Sequence, residues 1–132
     1  MFGMTETANW ISGGALADAA GRDGYVGKPW GGQFAVLAAD GAVRDFGQGE
    51  VLVKTPSLMD HYTGDPAKTA ETMLDGWLRT GDIGIIDAKG ALTLTGRSKW
   101  EINRSGIKIQ AEEIDMLLER HPAVLEACAF AI

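Results

Sequence analysis

The sequence predicts an α+β fold, in which a small antiparallel β-rich subdomain is followed by the truncated start of a second α+β domain. The first observation is that short apolar runs alternate with glycine-containing turn signals, which is typical of short strands joined by turns. The second is that 18 of the 132 residues are glycine, nearly twice the usual share. The third is a change of pattern near residue 98, after which a helical period appears.

The strand signals begin after residue 30. Residues 1–30 show no sustained hydrophobic period of either kind, so this stretch is predicted to be mostly loop. Residues 34–37 and 50–54 then predict two strands, and Asp40-Gly41 between them is a hairpin signal. Together they indicate a small antiparallel sheet.

A short helix and a second hairpin follow. Asp65 supplies an N-cap side chain and Pro66 suits the first helical position, so a helix is predicted from there through about Met73. Residues 83–87 and 91–95 predict two more strands joined by a tight turn. These elements complete a subdomain that we expect to be strongly bent.

The carboxy-terminal part has a different pattern. Alternating isoleucines over residues 107–109 predict a strand, and the helix that follows has Ile114, Leu117 and Leu118 on one face. Residues 125–132 form a nearly unbroken apolar run, which predicts a buried strand. Because the sequence stops inside this run, we expect the second domain to be truncated.

Composition excludes several classes of protein. The net charge is -6 and no basic run is present, so a footprint for nucleic acid or anionic lipid is missing. Cys128 is the only cysteine, which excludes an internal disulfide, and its apolar neighbours predict a buried structural thiol. His61 and His121 lack obvious partners for a hydrolase. No apolar stretch approaches the roughly 20 residues of a membrane span, so a cytoplasmic location is expected.

Four segments carry possible chemistry. In chain order they are Phe2-Gly3-Met4-Thr5-Glu6; the strand Gly49 to Lys54 with its continuation to Tyr62 and to Pro66 through Glu71; Gly76-Trp77-Leu78-Arg79-Thr80-Gly81-Asp82; and Gly96-Arg97-Ser98-Lys99 followed by Ser105-Gly106. Taken singly, a Thr-Glu pair favours a helix cap, a Gly-Asp pair favours a turn, and an isolated arginine is usually a surface cation. Each segment alone therefore has an ordinary structural interpretation.

The same side chains also offer groups that can bind a ligand. The hydroxyl of Thr5 can donate to an anionic oxygen, and the carboxylate of Glu6 can hold a divalent cation. The carboxylate of Asp82 offers two acceptor oxygens to a pair of neighbouring hydroxyl donors, and Gly81 allows the backbone to approach closely. We expect this Gly-Asp pair at the end of a strand.

Read in order, the four segments resemble the motifs of the adenylate-forming superfamily, which includes acyl-CoA synthetases, luciferases and the adenylation domains of nonribosomal peptide synthetases. The resemblance implies that residues 1–97 are the carboxy-terminal β-rich part of an AMP-binding domain. It also implies that residues 98–132 are the hinge and the beginning of a mobile carboxy-terminal lid domain. Such a hinge suits one site that makes an acyl-adenylate and then admits a thiol.

The resemblance also implies roles for individual residues. It implies that Thr5, Asp82 and Arg97 bind the nucleotide and that Glu6 binds the metal. It places Lys99 at the hinge, and Ser105 and Gly106 in the loop that lines the thiol tunnel. The implied ligands are ATP or AMP, Mg²⁺, CoA as co-substrate and a small-molecule carboxylic acid.

The function implied is a segment of an ATP-dependent carboxylic acid:CoA ligase, which forms an acyl-adenylate and then a thioester. The phosphate-binding loop and the catalytic lysine of the superfamily do not appear in the sequence, and they are expected upstream of Met1 and downstream of Ile132. The chain is therefore expected to be inactive without the remainder of the ligase polypeptide. The alternatives are a non-catalytic remnant that acts as an interaction module, and a purely structural origin for every motif.

Overall fold

The structure is a computed structural model that describes residues 1–98, 101–104 and 107–130. Within these residues, nine strands form one sheet in which all pairings are antiparallel, and two further strands pair as a separate hairpin. The strands of the main sheet are β1 (Phe2–Met4), β2 (Asn9–Gly13), β3 (Tyr25–Pro29), β4 (Gln33–Leu37), β5 (Val43–Arg44), β6 (Gly47–Lys54), β7 (Met73–Leu74), β8 (Trp77–Ile86) and β9 (Leu92–Arg97). The separate hairpin consists of β10 (Glu101–Arg104) and β11 (Ile107–Gln110). The α+β class predicted from the sequence is confirmed.

In the part of the chain that the structure describes, three short α-helices accompany the strands: α1 (Leu16–Ala19), α2 (Pro66–Thr72) and α3 (Ala111–Glu119). The predicted start of α2 is confirmed, because Oδ1 of Asp65 accepts a hydrogen bond of 2.9 Å from the amide of Lys68. This bond satisfies one of the amides that the first turn of a helix leaves without an intrahelical partner.

The main sheet has the strand order β1-β2-β3-β9-β8-β6-β4-β5, with β7 paired beside β8. The ring of Phe2 on β1 meets the ring of Phe34 on β4 edge to face, with centroids 6.4 Å apart, although several strands separate β1 from β4 in the sheet. Strong bending brings them together, as expected. The bend encloses a core formed by Ile11, Val26, Phe34, Val36, Val51, Val53, Ile86 and Leu92.

The prediction that residues 1–30 are mostly loop is wrong, because β1, β2 and β3 lie within them. These strands are short, and β3 pairs with β9, far along the chain. Gly27 within β3 has φ of +87°, and a Cβ atom there would come within 2.1 Å of the backbone oxygen of Gly13. Pairing with β9 therefore creates β-structure at β3, where the local sequence has no strand period, whereas β1 and β2 form a local hairpin that the sequence pattern does not reveal.

The prediction of a buried strand over residues 125–132 is also wrong for the part that the structure describes. Residues 125–130 contain no strand, and the side chains of Leu125 and Phe130 are 93% and 73% exposed. Cys128 is exposed as well, which corrects the expectation of a buried thiol. An apolar run becomes a buried strand only when a partner strand takes up its backbone groups, and the described residues provide none here.

None of the helices described in the structure is long and apolar enough to cross a membrane.

Candidate functional site

The Gly-Asp pair lies in a bulge within β8 rather than at the end of a strand, which corrects the prediction. Glu50 on β6 pairs with Ile83 on β8, and Leu52 on β6 pairs with Arg79. Residues 80–82 of β8 therefore stand opposite one residue of β6, Val51. Gly81 at the centre of the bulge has φ of +73°, a conformation that glycine adopts readily. Bulges are often found where a strand must redirect a side chain.

Side-chain hydrogen bonds fix this bulge. The hydroxyl of Thr80 donates to the carbonyl oxygen of Val51 at 2.9 Å and accepts from the amide of Asp82 at 3.0 Å. The hydroxyl of Ser98 donates to the carbonyl oxygen of Gly81 at 3.1 Å. The bulge therefore replaces the lost ladder hydrogen bonds by bonds to two hydroxyl groups, and the position of Asp82 is well determined.

The carboxylate of Asp82 is almost fully buried and forms an ion pair with Arg97. Asp82 is 4% exposed, and Nε of Arg97 lies 3.0 Å from its Oδ1, with the Arg97 side chain half exposed. Burial raises the pKa of Asp82 above its ordinary value, while Arg97 opposes the rise and the charge of Glu50 adds to it. Asp82 and Arg97 face each other on β8 and β9, so the sheet register brings these two predicted residues together.

The raised pKa of Asp82 has a consequence for stability. The native state binds this proton more tightly than the unfolded chain, so the stabilisation is complete below about pH 3.8 and is lost as the pH rises through the native pKa. Asparagine does not titrate, so Asp82→Asn should remove this contribution, and the free energy of unfolding should decline less steeply as the pH rises. Urea unfolding at a series of pH values measures it, with Asp45→Asn at an exposed position as the control. Identical pH profiles for the chain and Asp82→Asn would contradict the expectation.

The other predicted residues, Thr5 and Glu6, lie in a 3₁₀ turn between β1 and β2. Thr5 is exposed and lines an open groove together with Gly3, Met4, Ala8, Asn9 and Trp10. Glu6 is half buried, and its Oε1 accepts a hydrogen bond of 2.8 Å from the hydroxyl of Tyr62. Burial, followed by the neighbouring Glu6, raises the pKa of Tyr62.

The sheet register brings Asp82 and Arg97 together on β8 and β9, whereas Thr5 and Glu6 lie next to each other in the turn that follows β1. The hinge residue Lys99 and the loop residues Ser105 and Gly106 lie outside the described part of the chain. Sequence reasoning missed Tyr62 and Ser98 as contributors, although both belong to segments that it had singled out.

The carboxylate of Glu6 provides an oxygen ligand of the kind that a magnesium ion binds. No group of three or more His, Cys, Asp or Glu side chains converges on a metal site within the described ranges. Mg²⁺ does not require such a group, because it keeps several waters and usually binds through one or two carboxylates together with substrate phosphates. The carboxylate of Glu6 beside the exposed hydroxyl of Thr5 is compatible with that mode of binding.

Comparison with known proteins finds CoA ligases among the relatives of this chain. The chain is 42% identical over 132 residues to a sulfoacetate–CoA ligase of Cupriavidus necator, which is 98% of this chain and 26% of the relative. It is 36% identical to an oxalate–CoA ligase of Arabidopsis thaliana, over 99% of this chain and 26% of the relative. The chain therefore spans about a quarter of the length of the curated relatives that it matches. No protein-family model matches the sequence.

Solved structures agree with these relatives. The O-succinylbenzoate coenzyme A synthetase of Bacillus subtilis in complex with AMP superimposes with a TM-score of 0.83 and 33% identity, over 96% of this chain and 26% of that one. A fatty acyl CoA synthetase of Mycobacterium tuberculosis gives a TM-score of 0.70 and 31% identity, over 98% and 26%. The comparison of folds and the comparison of sequences thus both find CoA ligases or CoA synthetases.

Proposed function

Because the chain belongs to the adenylate-forming superfamily, we propose that it is the nucleotide-binding and hinge segment of an ATP-dependent carboxylic acid:CoA ligase. In this proposal residues 1–97 form the carboxy-terminal β-rich part of the AMP-binding domain. Residues 98–132 form the hinge and the beginning of the lid domain, with Lys99 at the hinge and Ser105 and Gly106 in the loop that lines the thiol tunnel.

The observation that carries the proposal is the Asp82 carboxylate in the bulge of β8. Ribose presents two vicinal hydroxyl donors, and a carboxylate presents two acceptor oxygens, so the two groups match. The bulge holds Asp82 in place before any ligand arrives, which reduces the entropy that ordering would cost on binding. Since Asp82 is 4% exposed, we expect the half-exposed Arg97 side chain to turn aside and admit the ribose.

The reaction proposed has two steps. The carboxylate of the acid attacks the α-phosphorus of ATP and expels pyrophosphate, and a thiol then displaces AMP to form the thioester. Two anions must meet in the first step, so positioning and cationic groups provide most of the acceleration. The chain contributes positioning: Asp82 fixes the ribose, the hydroxyl of Thr5 donates to a phosphate oxygen, and Arg97 carries positive charge toward the phosphate.

Glu6 is proposed as the protein ligand of Mg²⁺. The ion, when bound, would offset the charge of the phosphates. The Glu6 carboxylate would need no second carboxylate from the chain, because Mg²⁺ usually keeps several waters and binds substrate phosphates.

The remaining machinery is proposed to come from the rest of the ligase polypeptide. The sequence has no Ser/Thr/Gly-rich phosphate loop and no counterpart of the catalytic lysine. Without these groups the chain has little to bring the two anions together, and we expect it to be inactive alone.

The test is to measure the intact mass of the native polypeptide in its source, with an antibody against residues 76–82. The purified product is then assayed for acid-dependent release of pyrophosphate from ATP and for formation of a CoA thioester. A product several hundred residues longer that carries out both steps supports the proposal. A stable 14.0 kDa product without either activity would instead favour the non-catalytic interaction module.

A further inference from the structure

We propose that Tyr62 is a positioning residue for the carboxylate of Glu6, and that it orients this carboxylate toward a divalent cation without neutralising it. The inference rests on the proposed function, in which Glu6 holds Mg²⁺. It extends that function to a residue on a distant loop, 56 positions away in the sequence.

The first argument concerns charge. The hydroxyl of Tyr62 donates to Oε1 of Glu6 at 2.8 Å, whereas the ion pairs among the described residues are Arg44–Asp40, Arg79–Glu50 and Arg97–Asp82, none of which involves Glu6. A lysine or arginine at this position would compete with a metal for the carboxylate. A neutral phenol fixes one oxygen and leaves the full negative charge for a cation.

The second argument concerns the rigidity of Tyr62. Its amide donates to the hydroxyl of Thr69 at 3.0 Å, and its carbonyl oxygen accepts from the amide of Asp65 at 3.1 Å. Nζ of Lys68 lies 4.2 Å from the centre of its ring, within the range of a cation–π interaction. The first turn of α2 and its cap therefore hold the backbone and the ring of Tyr62.

The third argument is that the same loop also holds the backbone of Glu6. The amide of Met59 donates to the carbonyl oxygen of Glu6 at 2.8 Å. The segment from Met59 to Tyr62 thus contacts Glu6 at its main chain and at its side chain. Two attachments from one loop restrict both the position and the direction of the carboxylate, which an accidental surface contact would not do.

The test compares Tyr62→Phe, Glu6→Gln and the double variant in the full ligase polypeptide. Binding of Mn²⁺ in the presence of ATP, followed by electron paramagnetic resonance, reports the cation affinity directly, and the Mg²⁺ dependence of pyrophosphate release provides a second readout. Loss of an outer partner of a metal ligand typically weakens metal binding by about 10- to 100-fold. We expect Tyr62→Phe to weaken Mn²⁺ binding about tenfold and Glu6→Gln to weaken it further.

The double variant distinguishes positioning from a general structural effect. If Tyr62 acts through Glu6, Tyr62→Phe has no further effect in the Glu6→Gln background, because the two effects are coupled. The matched control is Tyr25→Phe, since Tyr25 stacks against Arg22 and lies elsewhere in the sheet. Its Mn²⁺ affinity should remain that of the parent.

Two outcomes would overturn the inference. If Glu6→Gln weakens cation binding and Tyr62→Phe does not, or if the two effects simply add, then Tyr62 has no positioning role while the metal role of Glu6 stands. If Glu6→Gln leaves Mn²⁺ binding unchanged, the metal role assigned to Glu6 in the proposed function fails together with the inference.

Discussion

Replacing Asp82 with alanine is expected to weaken nucleotide binding by the full ligase polypeptide at least about 100-fold. Hydrogen bonds to a charged group contribute roughly 1.5–3 kcal/mol each, and the carboxylate is proposed to accept one from each ribose hydroxyl. Removing it also removes its ion pair with Arg97. Isothermal calorimetry with AMP measures the dissociation constant without any need for catalysis.

The controls separate loss of the site from loss of the fold. Asp82→Asn keeps the size of the side chain but presents one acceptor oxygen and no charge, so its affinity should lie between those of the parent and Asp82→Ala. Asp45→Ala removes a carboxylate from an exposed position and should bind AMP as the parent does. Unchanged AMP affinity in a folded Asp82→Ala protein would refute the ribose-binding role and with it the central observation of the proposed function.

Replacing Leu92 with alanine is expected to lower the free energy of unfolding of the chain by about 2–5 kcal/mol. Leu92 is 0% exposed and lies in the core cluster, at the start of the strand that joins β3 to β8. Truncation removes several buried carbon atoms and leaves a cavity that the neighbouring strands cannot fill without bending. Urea unfolding followed by tryptophan fluorescence gives the difference.

The comparison variant for the core is Ile85→Ala. Ile85 lies on the adjacent strand β8 and is 42% exposed, so its truncation should cost much less than that of Leu92. Equal losses at the two positions would mean that the described core is not the part of the sheet that determines its stability.

The sequence predicted those elements whose signals are local. Asp65 and Pro66 start α2 because an N-cap and a first-turn proline act within one turn of helix. The strand signals over residues 34–37, 50–54, 83–87 and 91–95 fall on β4, β6, β8 and β9, because their apolar residues and turn signals lie next to one another. The bounds differ most for β8, which begins well before its signal, at Trp77. The four ordered motifs predicted the superfamily, and the relatives confirm it.

Other features depended on contacts between distant parts of the chain. Strand β3 exists because it pairs with β2 and β9, whereas none of the described strands pairs with residues 125–130, and Leu125 and Phe130 remain exposed. A strand's backbone groups must be paired across space, so apolarity alone does not decide whether a strand forms.

The candidate site divides in the same way. The sequence by itself singled out the candidate side chains, because Thr5, Glu6, Asp82 and Arg97 stand in motifs that resemble those of the superfamily. The tertiary structure alone decided their environment: a bulge across β6 and β8 buries Asp82 and raises its pKa, and the loop before α2 brings Tyr62 to Glu6. Burial and hydrogen bonding arise from residues far apart in the sequence, and only the folded chain brings them together.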